Sequence, residues 1–120
     1  MKNRINDTLI EMSSQLDLNR EKLLEANAID IKNCDKTDKS LFDRLFIDNA
    51  KIDGMISSLS SVISRESPLD KTLYSFQHEN GLTISNKTVP FGTIMIIYES
   101  RPDVTVEATA TALKSGNKII

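Results

Sequence analysis

The first third of the chain alternates apolar and polar residues with the period of an α-helix. Between residues 3 and 34 the apolar side chains recur every three to four positions, which places them on one helical face. They are Ile5, Leu9, Met12, Leu16, Leu23, Leu24, Ala28 and Ile31. Asp17 and Asn19, two good N-cap residues, precede a charged turn. The pattern predicts two amphipathic helices, or one bent helix, with a break near Leu18.

A polar loop, NCDKTDKS, leads into a second helical region. Its apolar positions keep helical spacing until Ser67 and Pro68, where a proline is expected to stop the helix. They are Leu41, Leu45, Ile52, Met55, Ile56, Leu59 and Ile63. Asp48 is placed to cap a second helix within this region. We therefore predict a helical lead over residues 1–67.

Beyond Pro68 the period changes to that of β-strands. TLYSFQH and LTISNKTV alternate apolar and polar residues. They flank Asn80 and Gly81, a pair that favours a tight hairpin turn. The sequence therefore predicts a two-stranded arm over residues 72–89.

The last segment, residues 90–120, has the order strand, helix, strand. FGTIMIIY is nearly all apolar, which suits a central parallel strand covered on both faces. ESRPD interrupts it, a helix rich in small residues follows as far as Ser115 and Gly116, and the end of the chain opens another strand. This order predicts a βαβ unit in one parallel sheet. The expected fold class is α/β, with a helical lead and a hairpin arm.

Composition excludes several functions. The 15 basic residues are balanced by 17 acidic ones and are not clustered, so we expect no nucleic-acid partner. The N-terminus lacks the apolar core of a signal peptide, and no apolar run is long enough for a membrane span, so we expect a soluble cytoplasmic protein. With Cys34 as the single cysteine, neither an intrachain disulfide nor a cysteine-rich metal site is expected.

Two reactive residue types are interpreted as structural. Cys34 lies in a polar loop beside acidic residues, whereas a reactive thiolate needs an electropositive setting. His78 lies beside the hairpin turn, with no partner for a catalytic pair. Neither is a candidate catalytic residue.

Candidate chemistry lies at the end of the first parallel strand, at residues 98–103. Ligands of open α/β sheets usually bind beyond the carboxyl ends of strands, near helix N-termini. Arg101 can bind a phosphate or carboxylate through its planar guanidinium. Pro102 suits the first helical position, and Ser100 or Asp103 is placed to cap the helix. The alternative is a capped helix with an exposed arginine. Neither G-x-G-x-x-G nor a P-loop occurs, so a nucleotide would have to be held differently.

The segment VPFGTIMIIYESRPDVTVEATATALKSGNKII resembles the signature of the γ-glutamyl phosphate reductase family, within the aldehyde dehydrogenase superfamily. EANAIDI and LFDRLFIDNAKIDGMISSLSSVISRESPLD resemble upstream blocks of that family in the same order. The resemblance implies that the complete enzyme reduces L-glutamyl 5-phosphate to glutamate 5-semialdehyde with NADPH, on the route to proline. The family's nucleophile is a cysteine in a later domain. No catalytic residue is therefore expected in this chain.

The resemblance also assigns site residues. Tyr98, Glu99 and Ser100 would line the nicotinamide side of the cofactor groove, partly through backbone atoms, and Arg101 would face the phosphorylated substrate. Lys118 would approach a cofactor phosphate, or would equally be an exposed strand residue.

The resemblance further implies that the arm pairs with a neighbouring subunit, so that the complete enzyme is a homo-oligomer. Family members continue at both ends, so we expect an N-terminal piece of one cofactor-binding domain that is inactive alone. Two other interpretations remain open: a non-catalytic assembly module of a split enzyme, and a truncated gene product without activity.

Overall fold

The described residues of the helical lead form four helices joined by short connections. The computed structural model describes residues 2–35 and 37–120; Met1 and Lys36, which belong to the predicted lead and loop, lie outside the described residues. The helices are α1 (Lys2–Leu18), α2 (Arg20–Asn33), α3 (Lys39–Leu45) and α4 (Asn49–Ser64). The predicted break near Leu18 is confirmed, as two helices rather than one bent one.

The helix starts in the lead follow local cap chemistry. The Asp48 carboxylate accepts the Lys51 amide at 2.8 Å, which confirms the predicted cap of α4. Asp38 caps α3 in the same way through the Leu41 amide. Asn19 occupies the N-cap position of α2 without a capping hydrogen bond, because its side chain instead donates to the Gln15 carbonyl of α1.

The core lies where α1 and α4 pack against a later helix, α5 (Pro102–Lys114). Its buried cluster consists of Leu9, Met55, Leu59, Val106 and Ala110. The small residues of α5 let the helix backbones approach closely. Lys114 ties the three helices together, because its buried Nζ donates to Asn6 Oδ1 of α1 at 2.7 Å and to the Ile63 carbonyl of α4 at 2.9 Å.

A polar residue contributes to the attachment of the α2 helix. Its one buried residue, among those described, is Asn27. The Asn27 side chain donates to the Leu45 carbonyl and accepts the Ile47 amide, both at 2.8 Å. Ala28, which the spacing placed on the apolar face, is exposed. The predicted helix is correct, and its other predicted apolar residues, Leu23, Leu24 and Ile31, are half-buried.

The predicted arm is an antiparallel hairpin of β1 (Thr72–Gln77) and β2 (Thr83–Lys87). The His78 amide donates to the Leu82 carbonyl at 2.7 Å, and the Gly81 amide donates to the His78 carbonyl at 2.9 Å. Gly81 has a φ of 89°, whereas Asn80 is not among the residues with positive φ. A two-residue type I′ turn needs positive φ at both central positions. The loop therefore has the three-residue form that ends in a left-handed glycine.

The predicted βαβ unit is confirmed. Strands β3 (Thr93–Ile94) and β4 (Lys118–Ile119) pair in parallel, and α5 connects them. Further hydrogen bonds, including Ile96 N–H to the Ile120 carbonyl at 3.0 Å, extend the parallel register.

The expectation that β3 is central and covered on both faces is wrong for the described chain. The sheet formed by β3 has two strands. Ile94 and Ile96 are half-buried, whereas Met95 and Ile97 on the opposite face are 69% and 85% exposed. Phe91 is 95% exposed. The apolar run therefore has one face against α5 and one open face.

Candidate functional site

The candidate site is the loop 98–101, which links the β3 segment to α5. Ser100 adopts a φ of 50°, in the left-handed region that costs a non-glycine residue on the order of 1–3 kcal/mol. Arg101 is the N-cap residue, with φ −130° and ψ 88°, and Pro102 takes the first helical position as predicted. The expectation that Ser100 or Asp103 caps the helix is wrong, because no side chain makes a cap hydrogen bond here.

The first two loop residues make contacts with neighbouring helices. The Tyr98 hydroxyl hydrogen-bonds to Thr105 Oγ1 in α5, and Tyr98 is 45% exposed. Glu99 Oε2 lies 3.9 Å from Arg44 Nη1 of α3. That ion pair is long and solvent-exposed, so it contributes little to the position of the loop.

Arg101 is a cation in this loop without a partner among the described residues. Its side chain is exposed and makes no hydrogen bond or ion pair with any residue in the described part of the chain. A guanidinium offers five N–H donors in a planar fork that matches phosphate and carboxylate oxygens. Arg101 is therefore available for an anionic ligand.

The backbone at the start of α5 is a poor phosphate cradle by itself. Pro102 has no N–H, and the Val104 amide already donates to the Arg101 carbonyl at 3.1 Å. Asp103 adds a carboxylate to the first turn. An anion at this site would therefore depend on the Arg101 side chain rather than on the helix N-terminus. The start of α5 therefore offers few free N–H groups for a pyrophosphate, whereas a single phosphate can be met by the Arg101 guanidinium.

The structure brings Tyr98, Glu99, Ser100 and Arg101 together, but it does not bring Lys118 to them. Lys118 is exposed at the start of β4, where it pairs with Thr93 at the beginning of β3. The 13 residues of α5, about 20 Å of helix, separate this end of the unit from the loop.

An apolar groove that the sequence reasoning missed borders the loop. It has a volume of about 650 Å³ and lies between β3 and α5, under the base of the hairpin. Among the residues that line it are Leu69, Phe91, Ile94, Ile96, Val104 and Ala108. The signal in the sequence is a second row of short apolar side chains on α5. It consists of Val104, Ala108 and Ala112, of which only Ala112 is buried.

The two residues that were interpreted as structural lie elsewhere. Cys34 Sγ donates to the Ile31 carbonyl at the end of α2, and His78 Nδ1 accepts the Asn80 amide in the hairpin loop. Among the described residues there is no group of three His, Cys, Asp or Glu side chains that could hold a metal ion. No described helix is both long and apolar enough to cross a bilayer.

Comparison with known proteins identifies relatives over almost the whole chain. No family model matches it. A γ-glutamyl phosphate reductase of Thermotoga maritima is 43% identical over 117 residues, which are 96% of this chain and 28% of that protein. The enzyme of the same name from Clostridium tetani is 42% identical over 96% of this chain and 27% of its own length.

Solved structures agree with the sequence comparison. The crystal structure of γ-glutamyl phosphate reductase from Thermotoga maritima superposes with a TM-score of 0.93 at 41% identity, covering 99% of this chain and 29% of that one. The structure from Saccharomyces cerevisiae gives 0.89 at 31% identity, covering 99% and 31%.

The chain is thus an α/β protein with the helical lead, hairpin arm and βαβ unit of an aldehyde-dehydrogenase-like N-terminal portion. It is, more specifically, a homologue of the γ-glutamyl phosphate reductases, which confirms the resemblance seen in its sequence. The chain spans 28% of the length of the first curated relatives that it matches.

Proposed function

We propose that this chain forms the N-terminal part of an NADPH-dependent reductase that converts L-glutamyl 5-phosphate into L-glutamate 5-semialdehyde and phosphate. That reaction would belong to proline biosynthesis, and it would take place in the cytoplasm. The observation that carries the proposal is the match to the Thermotoga maritima reductase, 43% in sequence and 0.93 in TM-score. Arg101, which has no partner in the described part of the chain and lies beside Ser100, supports it, because an acyl phosphate substrate needs a phosphate-binding cation.

The chain's own residues would bind and orient rather than react. Arg101 would hold the phosphate of the substrate, and Tyr98, Glu99 and Ser100 would line the nicotinamide end of the cofactor. NADPH supplies the hydride when it is bound. Lys118 would contact a phosphate of the cofactor at a second place, which lies at the other end of α5 from the loop. The nucleophilic cysteine of the reaction would lie outside this chain.

The chain would act as one part of one cofactor-binding domain. Residues 1–67 would be its helical lead, 72–89 its oligomerisation arm and 90–120 its first βαβ unit. The packing of α5 against both α1 and α4 supports this, because the lead and the βαβ unit share one buried cluster.

A chimera tests the proposed function. We would replace the aligned segment of the Thermotoga maritima reductase with this chain and express the product in a proline auxotroph that lacks its own reductase. Growth without proline is expected for the chimera and for the intact Thermotoga enzyme, but not for this chain alone. A chimera that is soluble and folded, yet shows no NADPH-dependent reductase activity when purified, would contradict the proposal.

The arm would join two copies of the enzyme. Tyr74, Phe76 and Ile84 are all 43–57% exposed, and Phe76 pairs with Ile84 across the strands. Their side chains form an apolar face on a two-stranded sheet that has both edges open, which favours pairing with a second subunit.

Phe76→Glu in the chimera is expected to convert an oligomer into single subunits, because it places a charge in that apolar face. Light scattering of the purified protein measures the mass. Gln77→Glu adds the same charge on the other face of β1 and should leave the oligomer intact. Equal masses for the two variants would argue against the arm as the interface.

A second candidate function is a non-catalytic assembly module that binds the remainder of a split reductase. The exposed apolar residues Met95 and Ile97, which follow β3 on the side away from α5, favour it. Activity recovered from this chain and the Thermotoga remainder expressed as two separate polypeptides would support that reading.

A further inference from the structure

The loop 98–101 has few attachments that hold its unusual backbone. Ser100 is left-handed, and such a residue persists only where its surroundings fix it. No side chain of residues 2–35 or 37–120 caps α5. Among the described residues, the side-chain attachments of the loop are the long Glu99–Arg44 ion pair and the hydrogen bond between Tyr98 and Thr105. Both contacts are solvent-exposed, and the second is the stronger restraint, since its atoms are within hydrogen-bond distance whereas those of the ion pair are 3.9 Å apart.

The Tyr98–Thr105 hydrogen bond joins the two ends of the segment that contains Ser100 and Arg101. Tyr98 is the first residue of the loop, and Thr105 lies in α5 one helical turn after Arg101. The bond therefore closes a ring that runs from Tyr98, through Ser100 and Arg101, to the second turn of the helix. Arg101 therefore lies within the segment whose two ends this bond joins.

We propose that Thr105 is a positioning residue for the phosphate-binding loop. Its hydroxyl holds the Tyr98 ring against α5, and this keeps Ser100 left-handed and the Arg101 guanidinium in one place. The inference rests on the proposed function and deepens it, because it names a residue that acts on the ligand through Tyr98 and Arg101. It also implies that the Tyr98 hydroxyl is occupied by its hydrogen bond to Thr105, so that only the Tyr98 ring is available to contact the cofactor.

The first test needs no enzymatic activity. Thr105→Val removes the hydroxyl and keeps the branched shape, whereas Thr105→Ser keeps the hydroxyl. Nitrogen-15 relaxation on the 120-residue chain should show order parameters for amides 99–101 falling from about 0.85 to below about 0.6 in Thr105→Val. Thr105→Ser should retain the higher values. Thr109→Val, the same exchange one turn further along α5, is the matched control and should also retain them. Unchanged order parameters in Thr105→Val would overturn the inference.

The second test separates positioning from a general loss of stability. The chimera is assayed in the direction of acyl phosphate formation, with glutamate 5-semialdehyde, NADP⁺ and inorganic phosphate as the varied substrate. Thr105→Val and Tyr98→Phe should each raise the KM for phosphate by about tenfold, the effect of one lost hydrogen bond near its upper limit. Thr105→Ser should restore it. A fall in kcat with an unchanged KM would overturn the inference, because it would indicate less folded enzyme rather than a misplaced arginine.

The two proposals fail in different ways. An inactive wild-type chimera would contradict the proposed function. The relaxation experiment on the chain would then still decide the role of Thr105 in fixing the loop.

Discussion

Arg101→Met in the chimera is expected to raise the KM for inorganic phosphate by about 100-fold. A hydrogen bond to a charged group contributes about 1.5–3 kcal/mol, and each 1.4 kcal/mol is tenfold in affinity. Arg101→Lys should recover part of the loss, because it keeps the charge but not the planar fork. Steady-state kinetics with glutamate 5-semialdehyde and NADP⁺ at saturation give the KM for phosphate directly.

The stability of the Arg101 variants should equal that of the parent protein. Arg101 is exposed and has no partner among the described residues, so its removal breaks no contact that the fold uses. Arg4→Met, at an exposed position on α1, is the matched control and should change neither stability nor KM. A KM for phosphate within about twofold of the parent in folded Arg101→Met would show that the phosphate is held elsewhere.

The elements that the sequence predicts well are those set by local chemistry. Asp48 caps α4 because its carboxylate reaches an amide one turn away, and the break after Leu18 needs only the residues beside it. The start of α5 was open to the same reasoning. Pro102 favours the first helical position and disfavours helical backbone at the residue before it, so Arg101 rather than Ser100 had to be the N-cap.

The features that the sequence does not predict depend on residues far apart in the chain. Asn27 holds the segment after α3 through bonds to residues 18 and 20 positions away, and no periodicity indicates that contact. The apolar composition of β3 reports a preference for burial, but it cannot say which elements cover each face. The structure shows α5 on one face and leaves Met95 and Ile97 of the other exposed.

In the candidate site too, the features set by neighbouring residues were predicted, and those that depend on distant residues were not. Four of its predicted residues are contiguous, so any loop at 98–101 brings them together. Lys118 was assigned from the resemblance, and the length of α5 places it at the opposite end of the unit. The Tyr98–Thr105 contact was missed, because it depends on how the left-handed Ser100 turns the chain back onto α5.

The junction between α5 and β4 is where we expect the largest loss of stability. Gly116 has a φ of 75° and ends α5 in a Schellman motif, in which its amide donates to the Leu113 carbonyl and the Asn117 amide donates to the Ala112 carbonyl. The Asn117 side chain then accepts the Gly92 amide at 3.0 Å. This one turn therefore joins the end of the helix to the beginning of both strands.

Gly116→Ala is expected to destabilise the chain by about 3 kcal/mol. A Cβ at this position would lie 2.7 Å from Leu69 Cδ2 and 3.1 Å from Pro90 Cγ. Left-handed backbone costs alanine about 1–2 kcal/mol, and overpacking at a buried leucine adds about 1–3 kcal/mol. Urea denaturation followed by circular dichroism measures the free energy of unfolding. Gly54→Ala is the matched control, because a Cβ on Gly54 of α4 meets nothing within 4 Å. It should stabilise the chain by up to about 1 kcal/mol.

A double substitution separates the two causes of that loss. In a Leu69→Ala background the space for the new methyl group is open, so Gly116→Ala should there cost only the backbone part, about 1–2 kcal/mol. The same loss in both backgrounds would mean that the left-handed backbone carries the whole effect and that Leu69 moves aside freely. A smaller loss in the Leu69→Ala background would show that the stability of the βαβ unit depends on close packing between two segments. These are the segment before the hairpin, which contains Leu69, and the end of α5.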